Sequence, residues 1–314
     1  LRARRSDKPL CIFFGTNWPH VPWPAENEGF DPAKLTIPPT HVDTPRTREA
    51  RAKYYAAVAR MDAELGAAFD TANEVLGTNT LFLHTADHGA QWPFGKWSCY
   101  DAGIRTPMIA VWPGKITPGT RTNAMVSWID ILPTLVEAGG GGAPKEIDGR
   151  SFVPVLRNPK QAHRDQIFTT HSGDGRMNIY PTRSVRTTEF KYIRNLNPAF
   201  YYTTHVDLVQ AAEGPGYFES WREKAKSDPA AAALLKRYHE RPAEELYDLR
   251  SDPFELKNLA GDARHARELA ARRADVDAWM KANGDAGKVY GEPRLLTDPK
   301  RAEPPAQAAK KKKK

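Results

Sequence analysis

Only two cysteines, Cys11 and Cys99, occur in 314 residues. That excludes a disulfide scaffold and leaves the redox compartment open. No run of 18 or more apolar residues occurs, which excludes a membrane-spanning helix. A basic excess is also lacking once the end of the chain is set aside. The formal net charge is +8, but Lys310–Lys314 account for most of it and the other 309 residues carry +3. The composition therefore gives no reason to expect a nucleic-acid partner. Those lysines follow a Pro/Ala-rich stretch with no apolar face, so residues 298–314 are expected to form a disordered, solvated basic tail. The opening "LRARRSDKPLCIFFG" has neither an initiator Met nor an apolar leader. It reads as a chain whose beginning is absent, so the lack of a signal segment does not decide the compartment.

What is present suffices for a core: 40% of residues are hydrophobic, at a length compatible with one large domain or two. "PLCIFFGT" (9–16) reads as a short buried strand leading into the Pro-rich loop that presents His20. Residues 46–75 carry Val58, Met61, Leu65 and Phe69 at spacings of three and four, which predicts a helix with one apolar face. "NTLFLHTA" (79–86) and "TPMIAVWPG" (106–114) hardly alternate and predict fully buried strands. A helical crossing over 123–140 would cover the sheet until its glycines stop it. This order of elements predicts an α/β sheet. From about 163 the texture changes: a β-rich run at 183–196, then a strand, a turn at Asp252-Pro253 and a return over 243–260. A helix at 262–282 turns Leu269, Val276 and Met280 inward. A smaller α+β subdomain is expected there.

The chemistry concentrates after the strand at 79–86, where open α/β folds place their ligands. Asp87 offers a hard anionic oxygen to a divalent cation, and a neutral His88 offers nitrogen to a metal or a proton to an anion. An ordinary polar loop, with Asp87 accepting backbone hydrogen bonds, is the competing reading. Lys96 and Arg105 in the same connection, with His20 after a neighbouring strand, favour the metal or anion site. Cations and donors around a metal stabilise charge on sulfuryl or phosphoryl oxygens.

"TADHG" with "FGKWSCYDAGIRTPMIAVWPGKI", "VSWIDILPTLVEAGG" and "IDGRSFVPVL" resembles the C-terminal two thirds of a type I sulfatase of the alkaline phosphatase superfamily. "FGTNWPHVPWP", "YYAAVARMDAELG" and "EELYDLRSDPFELKNLA" extend the resemblance over about residues 9–290. "KWSCYDAGIRTP", "NIYPTRSVRTTEFKYIRNLNP" and "FYYTTHVD" bring it nearest to the heparan N-sulfatase (N-sulfoglucosamine sulfohydrolase) branch. The fold so implied is the C-terminal part of an alkaline-phosphatase-like mixed sheet flanked by helices (1–162), followed by the smaller α+β subdomain (163–297).

The resemblance implies that Asp87 ligates a divalent cation, Ca2+ or another, and that His88 takes a place commonly held by Asn. It makes Lys96 and His20 the sulfate-facing catalytic pair, neutralising oxygens and protonating the leaving group. Arg105 is left between a structural salt bridge and contact with a substrate carboxylate. His171, Asp174 and Arg183, with Arg186, are candidates for saccharide recognition, since an Arg fork suits carboxylates and sulfates. A solvated strand face is the alternative for the arginines. Tyr180, Tyr192, Tyr201 and Tyr202 could stack on sugars, with core packing the commoner role.

Sulfatases carry their nucleophile in Cys-x-Pro-Ser-Arg or Ser-x-Pro-Ser-Arg, oxidised to formylglycine, together with an early Asp-Asp metal pair. Neither motif occurs in these 314 residues, and Cys11 and Cys99 lack the context. The expectation is a truncated sequence whose N-terminal third, with the nucleophile, is missing and which does not turn over by itself. The function implied is sulfuric ester or sulfamate hydrolysis on a sulfated saccharide, in the periplasm or secreted. Phosphodiester or phosphonate monoester hydrolysis, or non-catalytic glycan binding, are the alternatives.

Overall fold

The computed structural model describes residues 5–142, 144–208 and 216–304. Helix α1 (Pro45–Leu76) starts where Thr44 caps it, its Oγ1 accepting from the Thr47 N–H at 3.1 Å with Pro45 at the first position, and ends at Gly77 with φ 71°. Its fully buried face is made of small residues in the first half: Thr47, Ala50, Ala52, Ala56 and Ala57. Small side chains let the helix approach closely, so that Trp221 Nε1 donates to Thr47 Oγ1 at 2.7 Å. The larger residues of the predicted face, Val58, Met61, Leu65 and Phe69, are only half-buried; Phe69 meets Phe82 edge-on at 5.1 Å.

Strands β1 (Phe82–Thr85) and β2 (Met108–Val111) pair antiparallel, with Phe82 opposite Val111 and Thr85 opposite Met108. Both were expected to be fully buried. Instead β1 is half-buried throughout and Ile109 in β2 is exposed, because among the described residues this sheet has only these two strands. The expected strand at 9–16 does not form. No neighbouring strand pairs with its backbone among the described residues, and Phe13 is 85% exposed. The helical crossing becomes α3 (Ile131–Ala138) after a 3-10 turn. Asp130 anchors it by accepting from the Ser127 and Arg150 N–H groups, each at 2.9 Å, and pairing with Arg164, while Trp128, Ile129 and Leu132 face outward.

The second sheet is a meander of β3 (Gln166–Asp174), β4 (Asn178–Thr187), β5 (Phe190–Asn195) and β6 (Glu244–Asp248), all antiparallel, with a bulge between His171 and Gly173. Successive side chains point to opposite faces. Val185, Tyr192 and Leu246 lie on one face with Val276 of helix α8 (Ala266–Ala282) packed on them, and Leu269 and Met280 flank that cluster as expected. The other face carries Ser184, Arg186, Lys191, Ile193, Glu245 and Tyr247 and receives the loop after β1. The expected return strand after Asp252-Pro253 is a loop. The Asn258 side chain takes the place of a strand edge, accepting from the Leu246 N–H at 2.9 Å and donating to the Glu244 carbonyl at 3.0 Å.

An aromatic core joins the two parts of the chain. Trp92 stacks on Tyr217 at 4.6 Å, and Phe218 and Trp221 of helix α6 (Phe218–Ala225) pack with Tyr238 of helix α7 (Pro229–His239). Residues 298–304, expected in the disordered tail, form hydrogen-bonded turns: Arg294 donates to the carbonyls of Arg301 and Glu303 at 2.6 Å. The lysines at the end lie outside the described residues.

Candidate active site

The loop from β1 to β2 folds back on itself because three of its glycines leave room for backbone. A Cβ on Gly89 would overlap the Ala102 carbonyl oxygen, one on Gly95 the Ala90 carbonyl, and one on Gly103 the Gly95 carbonyl. The Gly89 N–H donates to Gly103 O at 2.8 Å and the Lys96 N–H to Ala90 O at 2.9 Å. The short helix α2 (Asp101–Ile104) ends the loop. Asp87 and Lys96 are thus tied into one closed unit, and Trp128 pins its start by donating to Ala86 O at 2.9 Å.

The unit is bolted to the meander by buried charge. Asp101 pairs with Lys191 at 2.7 Å and with Arg186 at 3.1 Å, and Lys191 also donates to Cys99 O at 3.0 Å. Burial pushes the Asp101 carboxyl upward, but the two cations outweigh it and hold it below the usual range. Beside them Glu255 accepts from the Asp101 N–H at 2.7 Å; desolvation raises it to about 7 despite Lys191. Tyr100 and Tyr247 both donate to Glu245 Oε2, at 2.7 and 2.5 Å.

At the mouth, Asp87 is exposed, and its Oδ2 lies 3.2 Å from His88 Nε2. His88 Nδ1 lies 2.8 Å from the Gly89 carbonyl, which can only accept, so Nδ1 carries a proton. With a proton on Nε2 the contact is an ion pair with the Asp87 carboxylate; without one, the Nε2 lone pair and the carboxylate oxygen are two adjacent donors of the kind a divalent cation takes. Among the described residues no group of three or more His, Cys, Asp or Glu side chains is placed to hold a metal.

Lys96 is half-buried and forms no ion pair among the described residues; its Nζ lies 4.9 Å over the Trp97 ring. His20 is exposed, its Nδ1 2.6 Å from Val21 O. Among the described residues no hydrogen bond or ion pair links it to Lys96 or Asp87. The Arg105 side chain is exposed, and of its two expected roles the structural salt bridge is not formed among the described residues.

The saccharide candidates separate. Asp174, at the end of β3, accepts from Trp97 Nε1 at 2.5 Å and so lies next to Lys96. His171 bonds to Asn178, and burial holds its ring below the ordinary histidine value. Arg183 is committed instead to an internal ion pair: its side chain is 5% exposed and its Nη2 lies 2.9 Å from Asp285 Oδ1. Arg186 is likewise committed to Asp101. Tyr180, Tyr192 and Tyr202 are core residues, and Tyr201 stacks on His239 at 4.5 Å.

Two residues that sequence reasoning passed over belong here. Trp97 has φ 70° and stacks on His205 at 5.1 Å with 16° between planes; His205 Nε2 lies 3.2 Å from Asp174 Oδ2. No sequence spacing connects residues 97, 174 and 205, although all three lie in or beside stretches that carry the family resemblance.

Comparison with known proteins bears on the family and the fold. The family model described as Sulfatase matches residues 1–141, and that described as N-sulphoglucosamine sulphohydrolase, C-terminal, matches 87–237. An ulvan-active sulfatase of Formosa agariphila is 30% identical over 286 residues, covering 90% of this chain and 54% of that protein. Human N-sulphoglucosamine sulphohydrolase is 28% identical over 266 residues, covering 81% and 52%. The chain spans about half the length of the curated relatives it matches. Among solved structures, a 2-O GAG sulfatase superposes with TM-score 0.56 at 22% identity, covering 95% of this chain and 58% of that one. A protein solved with its substrate D-glucosamine-2-N,6-O-disulfate superposes at 0.55 and 22%, covering 75% and 41%. The fold is that of the alkaline-phosphatase-like sulfatases. With the two family models running without a gap from residue 1 to residue 237, the chain belongs to the sulfatase family.

Proposed function

We propose that this chain carries the cation- and sulfuryl-binding groups of a sulfuric ester or sulfamate hydrolase acting on sulfated saccharides, with an N-sulfoglucosamine-like sugar as the favoured substrate. The observation that carries the reading is the closed glycine loop, which holds an Asp87–His88 donor pair and, in one unit with it, the Lys96 ammonium, unpaired with any carboxylate among the described residues. Calcium held by Asp87 and His88 would supply Lewis-acid stabilisation of sulfuryl oxygens. Lys96 neutralises further negative charge on those oxygens, where a fixed cation acts without reorganisation. His20, exposed on its own loop, donates a proton to the departing nitrogen or oxygen. Arg105, whose guanidinium has no ion pair among the described residues, meets a substrate carboxylate. The family uses a formylglycine nucleophile, and no motif for one occurs in these 314 residues. The division into 1–162 and 163–297, and a periplasmic or secreted location suited to a polymeric substrate, belong to the same reading.

Two experiments test it. Calorimetric titration of the chain with CaCl2, then with inorganic sulfate, should show calcium binding that weakens about tenfold or more in Asp87→Ala and His88→Ala. Sulfate binding should be lost in Lys96→Ala. Unchanged calcium affinity in both metal-site variants would remove those residues from the metal. Second, the natively expressed protein should be assayed in parallel on a sulfamate, a sulfate ester and a phosphonate monoester with the same calcium. Faster phosphonate turnover would replace the sulfatase reading by the phosphoryl one.

A further inference from the structure

Among the described residues no carboxylate pairs with Lys96, yet its neighbour Trp97 is held by several partners. The Trp97 backbone lies in the left-handed region, at φ 70°, where a bulky residue stays only if its surroundings over-determine it. Those surroundings are specific. The Tyr202 hydroxyl donates to Trp97 O at 3.0 Å, the indole N–H donates to Asp174 Oδ2 at 2.5 Å, and the His205 ring stacks at 5.1 Å. The same indole lies under the Lys96 ammonium at 4.9 Å. Asp174 and His205 remain partly open to solvent, with side chains 45% and 37% exposed and only one carboxylate oxygen used by these partners.

We infer that Asp174 and His205 form a subsite for hydroxyl or amino groups of the saccharide, and that Trp97 is the positioning residue coupling its occupancy to Lys96. This rests on the proposed sulfuryl-binding role of Lys96. The second Asp174 oxygen accepts from a sugar hydroxyl or ammonium, and the His205 ring offers a further polar edge. Because both groups also grip the indole, a sugar that draws on Asp174 or His205 shifts the ring over which the ammonium sits. The Asp174 carboxylate repels an acidic group of the sugar beside it, which leaves carboxylates and sulfates to Lys96.

The test uses the 314-residue chain, isotopically labelled for NMR, with unsulfated glucosamine and inorganic sulfate as separate probes. Glucosamine should move the Trp97 indole N–H, the His205 ring and the Lys96 ε-methylene resonances together. Asp174→Asn and His205→Ala should each weaken glucosamine binding by about tenfold and leave sulfate binding unchanged. In Trp97→Phe, which keeps an aromatic face but loses the bond to Asp174, glucosamine should still move His205 while Lys96 no longer responds. A full Lys96 response in Trp97→Phe would overturn the coupling. A wild-type titration in which glucosamine leaves Trp97 and His205 unmoved would overturn the subsite, whether or not the variants fold. Sulfate that leaves Lys96 unmoved would instead count against the proposed function.

Discussion

The two sheets differ in how they hold their strands. In the meander, β4 is buried at every position from Asn178 to Val185, covered by α8 on one face and by the β1–β2 loop on the other. The β1–β2 pair is half-open, with Ile109 on one strand and Trp128 nearby both facing solvent. Yet the candidate site hangs from β1. What fixes it is its attachment to the meander through Asp101, Tyr100 and Trp97, so the site borrows its rigidity from the other sheet.

That contrast breaks hardest at Asp101. Asp101→Ala removes the carboxylate paired with Arg186 and the nearer of the two that face buried Lys191, leaving Glu255 at 3.8 Å, and should cost about 3–5 kcal/mol in denaturant unfolding. A loss under about 1 kcal/mol would show that the loop is held by something else. Glu255 tests the same joint through pH. Its folded pKa of about 7 lies above its ordinary 4.5, so the folded state binds the extra proton. The associated stability is fully present below about pH 4.5 and is lost as pH rises through 7, on the order of 3 kcal/mol. Denaturation midpoints across that window should fall with rising pH, and Glu255→Gln should flatten the slope; an unchanged slope would assign it to other groups. Gly89→Ala drives a methyl into the Ala102 carbonyl and should cost about 1–3 kcal/mol and weaken calcium binding. Wild-type stability there would mean that the loop closes differently. The open sheet gives the smallest effect: Ile109→Thr should change stability by about 0.5 kcal/mol or less, and a larger loss would show β2 to be covered.

Much of this was legible in the sequence. The long helix α1 and the terminal helix follow from periodicity and the strands at 82–85 and 108–111 from their apolar runs, while the β-rich run at 183–196 holds the end of β4 and all of β5. Asp87 and Lys96 stood out because they share one strand-end loop. The failures have physical causes. An apolar run such as 9–16 reads as a buried strand, but a strand needs a partner for its backbone, and none pairs with it among the described residues. Arg183 and Arg186 looked like anion forks, and only the fold brings Asp285 and Asp101 to them across about a hundred and about eighty-five positions. The Trp97–Asp174–His205 cluster was invisible for the same reason: its members meet only after the meander has folded.

The glycine closures of the β1–β2 loop bear on how the gene can vary. Each missing Cβ faces a carbonyl at a fixed number of positions away along the loop, so the segment from Gly89 to Gly103 is constrained in length more than in composition. Side chains there can change provided the count is kept, whereas one inserted or deleted residue sets a Cβ against backbone and moves the carboxylate of Asp87 relative to the ammonium of Lys96. In a library of variants, indels in this stretch should be depleted well beyond substitutions at the same positions.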